Sequence, residues 1–370
     1  MSFFSYTPEI SYDIFIDRVF KFALVGFFIV AFVTTPARLA FFLGAVLLAY
    51  MKMGQEGLLG VITGSLVWQN QGIPRLHGST PIYRHPNSFS GMALGCLPFL
   101  FYFYGVVHRY LKLILLIQFV FVFNIILFTG SRTGYVAMII GIILIILKSN
   151  NRGILFLIIL LIGFVSIKFV PEPYIKRVET IFTQKDIEGG SIDSRKQILG
   201  DAWQIFIDNP LGIGVGAFPA VRENLYGRSQ DTHNLYLEVA TNLGVQGLII
   251  FLGLIFSVFR LIFNLQASLI FQIRKITRFL MVYSENPLVI CSGKLREHLQ
   301  DLRIMYATCL SIFIFIVIRL VLGFFGMDLY EIYWWFTLGV VVALWNMNSV
   351  AQYKTAELCD DSLLLEDKTV

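Results

Sequence analysis

Residues 111–148 read LKLILLIQFVFVFNIILFTGSRTGYVAMIIGIILIILK. Two apolar runs, Leu111–Phe128 and Tyr135–Leu147, flank a short polar turn that holds Ser131, Arg132, Thr133 and Gly134. A hydrocarbon layer about 30 Å thick takes about 20 helical residues to cross. No water is available inside it, so every backbone N–H and C=O must be paired within the segment. The stretch reads as two membrane-crossing helices, and its turn puts an arginine at the membrane–water boundary.

The rest of the chain has the same character. Of its 370 residues 56% are hydrophobic and 14% charged, with a mean hydropathy of +0.73; soluble domains carry about a quarter charged residues. The expected fold is all-α, a single integral membrane domain over 1–370 built as a polytopic bundle of about ten spans. The spans fall at 19–34, 36–52, 56–70, 88–106, 111–129, 133–148, 153–170, 235–261, 303–325 and 329–347. The segment 56–70 is short and Gly-rich, with a re-entrant or interfacial course as its alternative. Met1–Asp17 is polar and partly acidic, unlike a cleavable signal, so the first apolar segment is expected to be retained. The net charge of +5 reflects loop bias rather than nucleic-acid binding.

Lys and Arg collect on the cytoplasmic side of membrane proteins. Arg18 and Lys21, Lys52, Arg109 and Lys112, Lys148 and Arg152, and the bases between Arg260 and Arg303 alternate correctly if all are cytoplasmic. Arg38 goes against this trend. Both termini then lie inside, with 263–301 a cytoplasmic loop and 349–370 a cytoplasmic tail. The opposite set is 71–87, the turn 130–132, the large loop 171–234 and 326–328. None of the four cysteines falls in an outer loop, so no disulfide is expected.

Three polar points thereby meet on the outer face: Arg132 in its turn, Asp193-Ser194-Arg195, and Asp231-Thr232-His233-Asn234. Within the large loop, Ser194–Asp208 reads as an amphipathic helix. Ser194 can cap it with Gln197 as reciprocal partner, and Asn209-Pro210 ends it. Trp203 and Phe206 suit it to the membrane interface. Arg195 would lie in its first turn, where free N–H groups favour an anion. Pro210–Phe218, with alternating glycines, lacks the strand and βαβ unit of a nucleotide loop and reads as a tight turn.

Paired guanidinium forks match diphosphate oxygens and stay charged at any relevant pH, and an imidazole beside them can accept a proton near neutrality. The combination fits displacement of a diphosphate by a hydroxyl. His233 would deprotonate the acceptor, while Arg132 and Arg195 stabilise the charge growing on the leaving group. No metal site and no cofactor are expected. Each residue also has a structural reading: Arg132 as an interfacial anchor, Arg195 as a partner of Asp193 or a lipid phosphate, His233 as a hydrogen-bonded interfacial histidine. A second outer cluster, Arg75, His77, Tyr83, Arg84, His85 and Asn87, could bind sugar or phosphate or be a plain hydrogen-bonded loop; Asn234 joins Arg75, Tyr83, Arg84 and His85 as a substrate-binding candidate. Tyr333, Trp334 and Trp335 read as an aromatic belt at the outer interface.

At these residues the chain resembles the O-antigen ligase and polymerase superfamily of bacterial membrane glycosyltransferases. The resemblance is carried by Ser131-Arg132-Thr133-Gly134, Asp193-Ser194-Arg195, Asn209-Pro210-Leu211-Gly212-Ile213-Gly214, His233-Asn234 and Gly244-Val245-Gln246-Gly247, over about 90–250. It implies a GT-C-type helical fold in the bacterial inner membrane. The implied donor is an undecaprenyl-diphosphate-linked glycan, and transfer would be metal-independent and inverting, on the periplasmic face. Arg132 and Arg195 match the family's diphosphate-binding arginines and His233 its base. The acceptor would be a sugar for a polymerase, the preferred reading because the outer loop is slightly acidic, or lipid A core for a ligase. Membrane lipid and a chain-length regulator are further candidate partners. The rival from another class is a lipid-linked sugar transporter or flippase. It would need polar groups near mid-membrane, where Arg319 is the clearest, and no internal repeat supports it.

Overall fold

A computed structural model describes residues 5–70, 72–149, 151–168, 170–183, 191–282, 292–326 and 329–364. Helix α1 (Pro8–Ile14) passes through a π-helical turn, Phe15–Phe20, into α2 (Lys21–Phe32). Next come α3 (Pro36–Thr63), an antiparallel hairpin of β1 (Val67–Asn70) and β2 (Ile73–Leu76), α4 (Pro86–Tyr104), α5 (Arg109–Phe128), α6 (Arg132–Lys148) and α7 (Arg152–Ile167). The large loop contains α8 (Glu172–Thr183), α9 (Ser191–Asp208) and α10 (Phe218–Tyr226), and the chain ends in α11 (Leu235–Val282), α12 (Ser292–Leu322) and α13 (Ile332–Leu364). Among the described residues four helices, α3, α5, α11 and α12, are long and apolar enough to cross a membrane.

The core centres on α4 and α12. Ser90 to Leu100 of α4 are all buried, and so is most of the apolar stretch of α12. Glycines set the closest approaches. On α2, a Cβ at Gly26 would stand 3.1 Å from the Trp335 carbonyl of α13, and one at Gly339 would stand 2.9 Å from the Gly26 carbonyl. Such small-residue crossings let helices associate where water drives nothing. Helix α7 turns Ile154, Phe156, Leu157, Leu160, Leu161 and Phe164 outward, as a lipid-facing helix does.

The spans expected at 36–52 and 56–70 are one helix, about 42 Å long at 1.5 Å per residue. Gly54 and Gly57 do not break it. A Cβ at Gly54 would collide with Phe121 at 2.7 Å, and one at Gly57 would press on Ile125 and Phe89. The glycines serve packing, and Lys52 pairs with Glu56 one turn on. The helix ends at Gly64, whose φ of +72° suits the left-handed cap, and the chain enters the hairpin, which the hydropathy pattern did not suggest.

Merging two spans removes one crossing, so every element before it changes side relative to the large loop. The N-terminal segment lies against that loop: the Ser5 hydroxyl donates to the Ile213 carbonyl, the Ser11 hydroxyl to that of Val215, and Arg18 pairs with Glu331 at 2.9 Å. Arg18, expected at the opposite end from His233, is at the same end. Arg38, in the first turn of α3, falls at the other end.

The segment 263–301 is helical in its described parts, because α11 continues to Val282 and α12 starts at Ser292; the tail is helical through Leu364. Cys291 lies outside the described residues. The large loop carries three helices rather than one. Helix α9 begins at Ser191, three residues before the expected cap, so Ser194 is inside it and Arg195 is past its first turn. Its end at Asp208 is as read, with the Asn209 side chain donating back to the Ile205 carbonyl.

Candidate active site

The loop after α9 makes a backbone-to-backbone crossing with α11. Gly212, Gly214 and Gly216 all have positive φ, and Gly244 interrupts α11 at φ +72°, ψ −171°. The Ile213 and Gly214 amides donate to the carbonyls of Thr241 and Asn242, and the Val245 amide donates to that of Pro210. A Cβ at Gly212 would sit 2.6 Å from the Gly244 amide nitrogen, and one at Gly244 would sit 2.4 Å from the Leu211 carbonyl carbon. The two glycine motifs are thus halves of one contact. It clamps the outer helices onto α11, where Ile198, Ala202 and Ile205 of α9 pack with Ile213, Phe218 and Val221 in a separate small core.

The same clamp places the histidine. Asn234 caps α11, its Oδ1 accepting from the amides of Tyr236 and Leu237, and the Leu235 amide donates to the Gly323 carbonyl at the end of α12. His233, just before the cap, has φ +49°, the one described non-glycine residue with positive φ. A bulky side chain rarely adopts that region, and such strain gathers at functional sites. Behind it, Arg222 is fully buried; it pairs with Asp201 of α9 at 2.9 Å and donates to Gln230. This fixes the loop that carries His233.

His233 opens into a cavity of about 600 Å³, a volume typical of small-molecule sites. Its charged lining is four arginines, Arg18, Arg75, Arg195 and Arg319, against one carboxylate, Glu331. His85, Tyr83, Ser194, Gln230, Thr133 and Tyr333 belong to the polar wall. Of the expected residues, Arg195, His233, Arg75, Tyr83 and His85 meet here. Arg132 occupies the first turn of α6 next to Thr133, within electrostatic reach of Arg75 but outside the lining. Arg84 does not line the cavity. The Asn234 side chain is committed to its cap and to the Phe324 carbonyl. His77 stacks on Trp68 at 4.8 Å.

The lower rim is built by short-range rules. Ser131 caps α6 by accepting from the Gly134 amide, and a Cβ at Gly134 would strike the Ser90 hydroxyl at 2.2 Å. Arg75 is buried and clamps three elements: Nε donates to the Thr129 carbonyl, Nη1 to Asn70 and Nη2 to Asn87. Burial, with the like charge of Arg177 next, pulls its pKa down to about 10, which still leaves it charged at neutrality. His85 caps α4 through Nδ1, which accepts from the Asn87 amide. Burial and then the Arg75 charge pull it down to about 4, so it is neutral at pH 7. The His233 imidazole is also lowered, by burial first and then by Arg195, against an opposing pull from Asp231.

Arg18, Arg319, Glu331 and Tyr333 were not singled out as site residues by the sequence. A buried cation in an apolar run marks Arg319 by itself. Arg18 was hidden by the miscounted crossing, and the anomaly at Arg38 was its only trace.

Residues 117–252 match the O-antigen ligase family. This match supports the O-antigen ligase/polymerase superfamily over that part of the chain. The match takes in Arg132, Arg195, His233 and both halves of the glycine crossing; Arg18, the hairpin and the end of α12 lie beyond it. No curated protein gives a significant match. The match supports an O-antigen ligase/polymerase-type enzyme, and the long apolar helices among the described residues suit a multi-pass membrane protein.

Proposed function

We propose that the protein transfers glycan from an undecaprenyl-diphosphate donor to a sugar hydroxyl, on the periplasmic face of the inner membrane, as a polymerase of polysaccharide repeat units. The carrying observation is the cavity that half-buried His233, at positive φ, shares with four arginines. His233 takes the proton of the acceptor hydroxyl. The oxygen attacks the anomeric carbon from the side opposite the diphosphate, the carbon–oxygen bond to the diphosphate breaks, and the configuration inverts. Arginines of the cavity, Arg195 first, receive the negative charge that develops on the departing diphosphate, the charge a metal ion often neutralises. Among the described residues no group of three or more His, Cys, Asp or Glu could hold a metal ion. His233 suits the base role because its lowered pKa keeps the imidazole neutral at pH 7. Arg132 acts from the adjacent helix start, adding to the positive field rather than lining the wall.

The slightly acidic outer loop favours a sugar acceptor over a phosphorylated lipid A core. The test is to give purified protein a lipid-linked repeat unit, with and without lipid A core. A product ladder without core is expected; product only with core means a ligase. In the same assay His233→Ala should lower kcat by about 10²–10⁴-fold, with folding intact; full activity would reject the base.

A further inference from the structure

We infer that the donor lies in the cavity in one direction, with Arg319 gripping the phosphate attached to the lipid and Arg195 the phosphate attached to the sugar. This rests on the glycosyl-transfer reading above. Arg319 stands one turn before the end of α12, inside the bundle, and is buried. A cation at that depth is costly and marks a functional path more often than a structural tie. Its place is carved out. Gly91 and Gly95 of α4 face it, and a Cβ at either would stand 3.3 Å from a guanidinium nitrogen. Nη2 donates to the Gly91 carbonyl at 2.9 Å, and the guanidinium lies 3.4 Å from the centre of the Tyr333 ring. The stack uses the face of the fork and keeps it flat, so recognition falls to its in-plane N–H groups, the geometry that fits a phosphate.

Arg195 lines the same cavity from α9, in the outer helices rather than the bundle, and its charge acts on His233. The base must face the sugar that receives attack at its anomeric carbon, so the sugar-linked phosphate belongs with Arg195. The prenyl chain must leave toward the bilayer, and Arg319 is the cavity arginine set within the bundle. The order lipid, phosphate, phosphate, sugar therefore runs from Arg319 to Arg195.

Binding of undecaprenyl diphosphate and of undecaprenyl monophosphate to the full-length protein separates the two positions. The monophosphate carries only the lipid-linked group. Arg319→Lys should weaken both ligands by about tenfold or more, the loss of one bidentate contact. Gly91→Ala, which keeps the charge and crowds the fork, should weaken both in the same direction. Arg195→Lys should weaken the diphosphate and leave the monophosphate unchanged. Thermal midpoints of the three variants close to wild type confirm that the losses belong to the site. If Arg319→Lys spares the monophosphate, or Arg195→Lys weakens both, the assigned direction is wrong while the enzymatic reading stands. Wild-type protein that binds neither lipid would overturn both.

Discussion

At the scale of single residues, the chemistry depends on one neutral imidazole among cations. Burial and Arg195 hold the His233 pKa below the ordinary 6.5, while Asp231 pulls the other way. The base is the unprotonated form, present above that pKa and lost as pH falls through it. The kcat profile should therefore be flat from pH 8 to about 6.5 and fall only below that. Asp231→Asn removes the opposing pull and should move the acidic limb further down. An acidic limb centred above 7 would contradict the assignment. His85, down at about 4, stays neutral across this range and should leave the profile unchanged. Arg195 and His233 were legible in the sequence because polar side chains at the ends of apolar runs are few. The Asn234 side chain caps α11, a role that a single sequence position does not distinguish from ligand binding until the next helix is seen. Arg319 was visible as an anomaly, but depth in a span does not tell whether a charge lines a path or a floor.

At the scale of elements, the crossing of Gly212 with Gly244 holds the outer helices to the bundle. Helix periodicity showed α9 and its Asn209-Pro210 end, yet its start could not be read, because Ser194 and Gln197 imitate a cap three residues inside. The glycine motifs were legible only as turns. Their partnership is a contact between distant segments, and nothing in either one states it. Gly244 has a backbone conformation open essentially to glycine alone, and its missing Cβ faces a carbonyl carbon at 2.4 Å. Gly244→Ala should cost about 3 kcal/mol or more, seen as a lower thermal midpoint in detergent. Gly212→Ala should act alike, and the double variant should lose less than the sum, because the two share one contact. Additive losses would mean that the crossing is not a unit.

At the scale of the whole molecule, hydropathy read the apolar character and the mostly helical architecture. The miscount between residues 36 and 70 was physical in origin. Gly54 and Gly57, with Lys52 and Glu56 between apolar runs, resemble an interruption when the partner helix is unseen. In the fold they are a packing face against Phe121, Ile125 and Phe89 and an ion pair within one helix. The single helix α3 goes with Arg18 in the cavity, at the His233 end of the bundle. The central claim is that the N-terminal segment and the His233 loop share one compartment outside the cytoplasm. Single cysteines test it directly, in a cysteine-free background with a membrane-impermeant maleimide on intact spheroplasts. Tyr12→Cys and Trp203→Cys, both at exposed positions of that end, should react at once, whereas Tyr353→Cys, exposed near the opposite end, should react only after permeabilisation. Protection of Tyr12→Cys until permeabilisation, with Trp203→Cys reacting, would contradict the account.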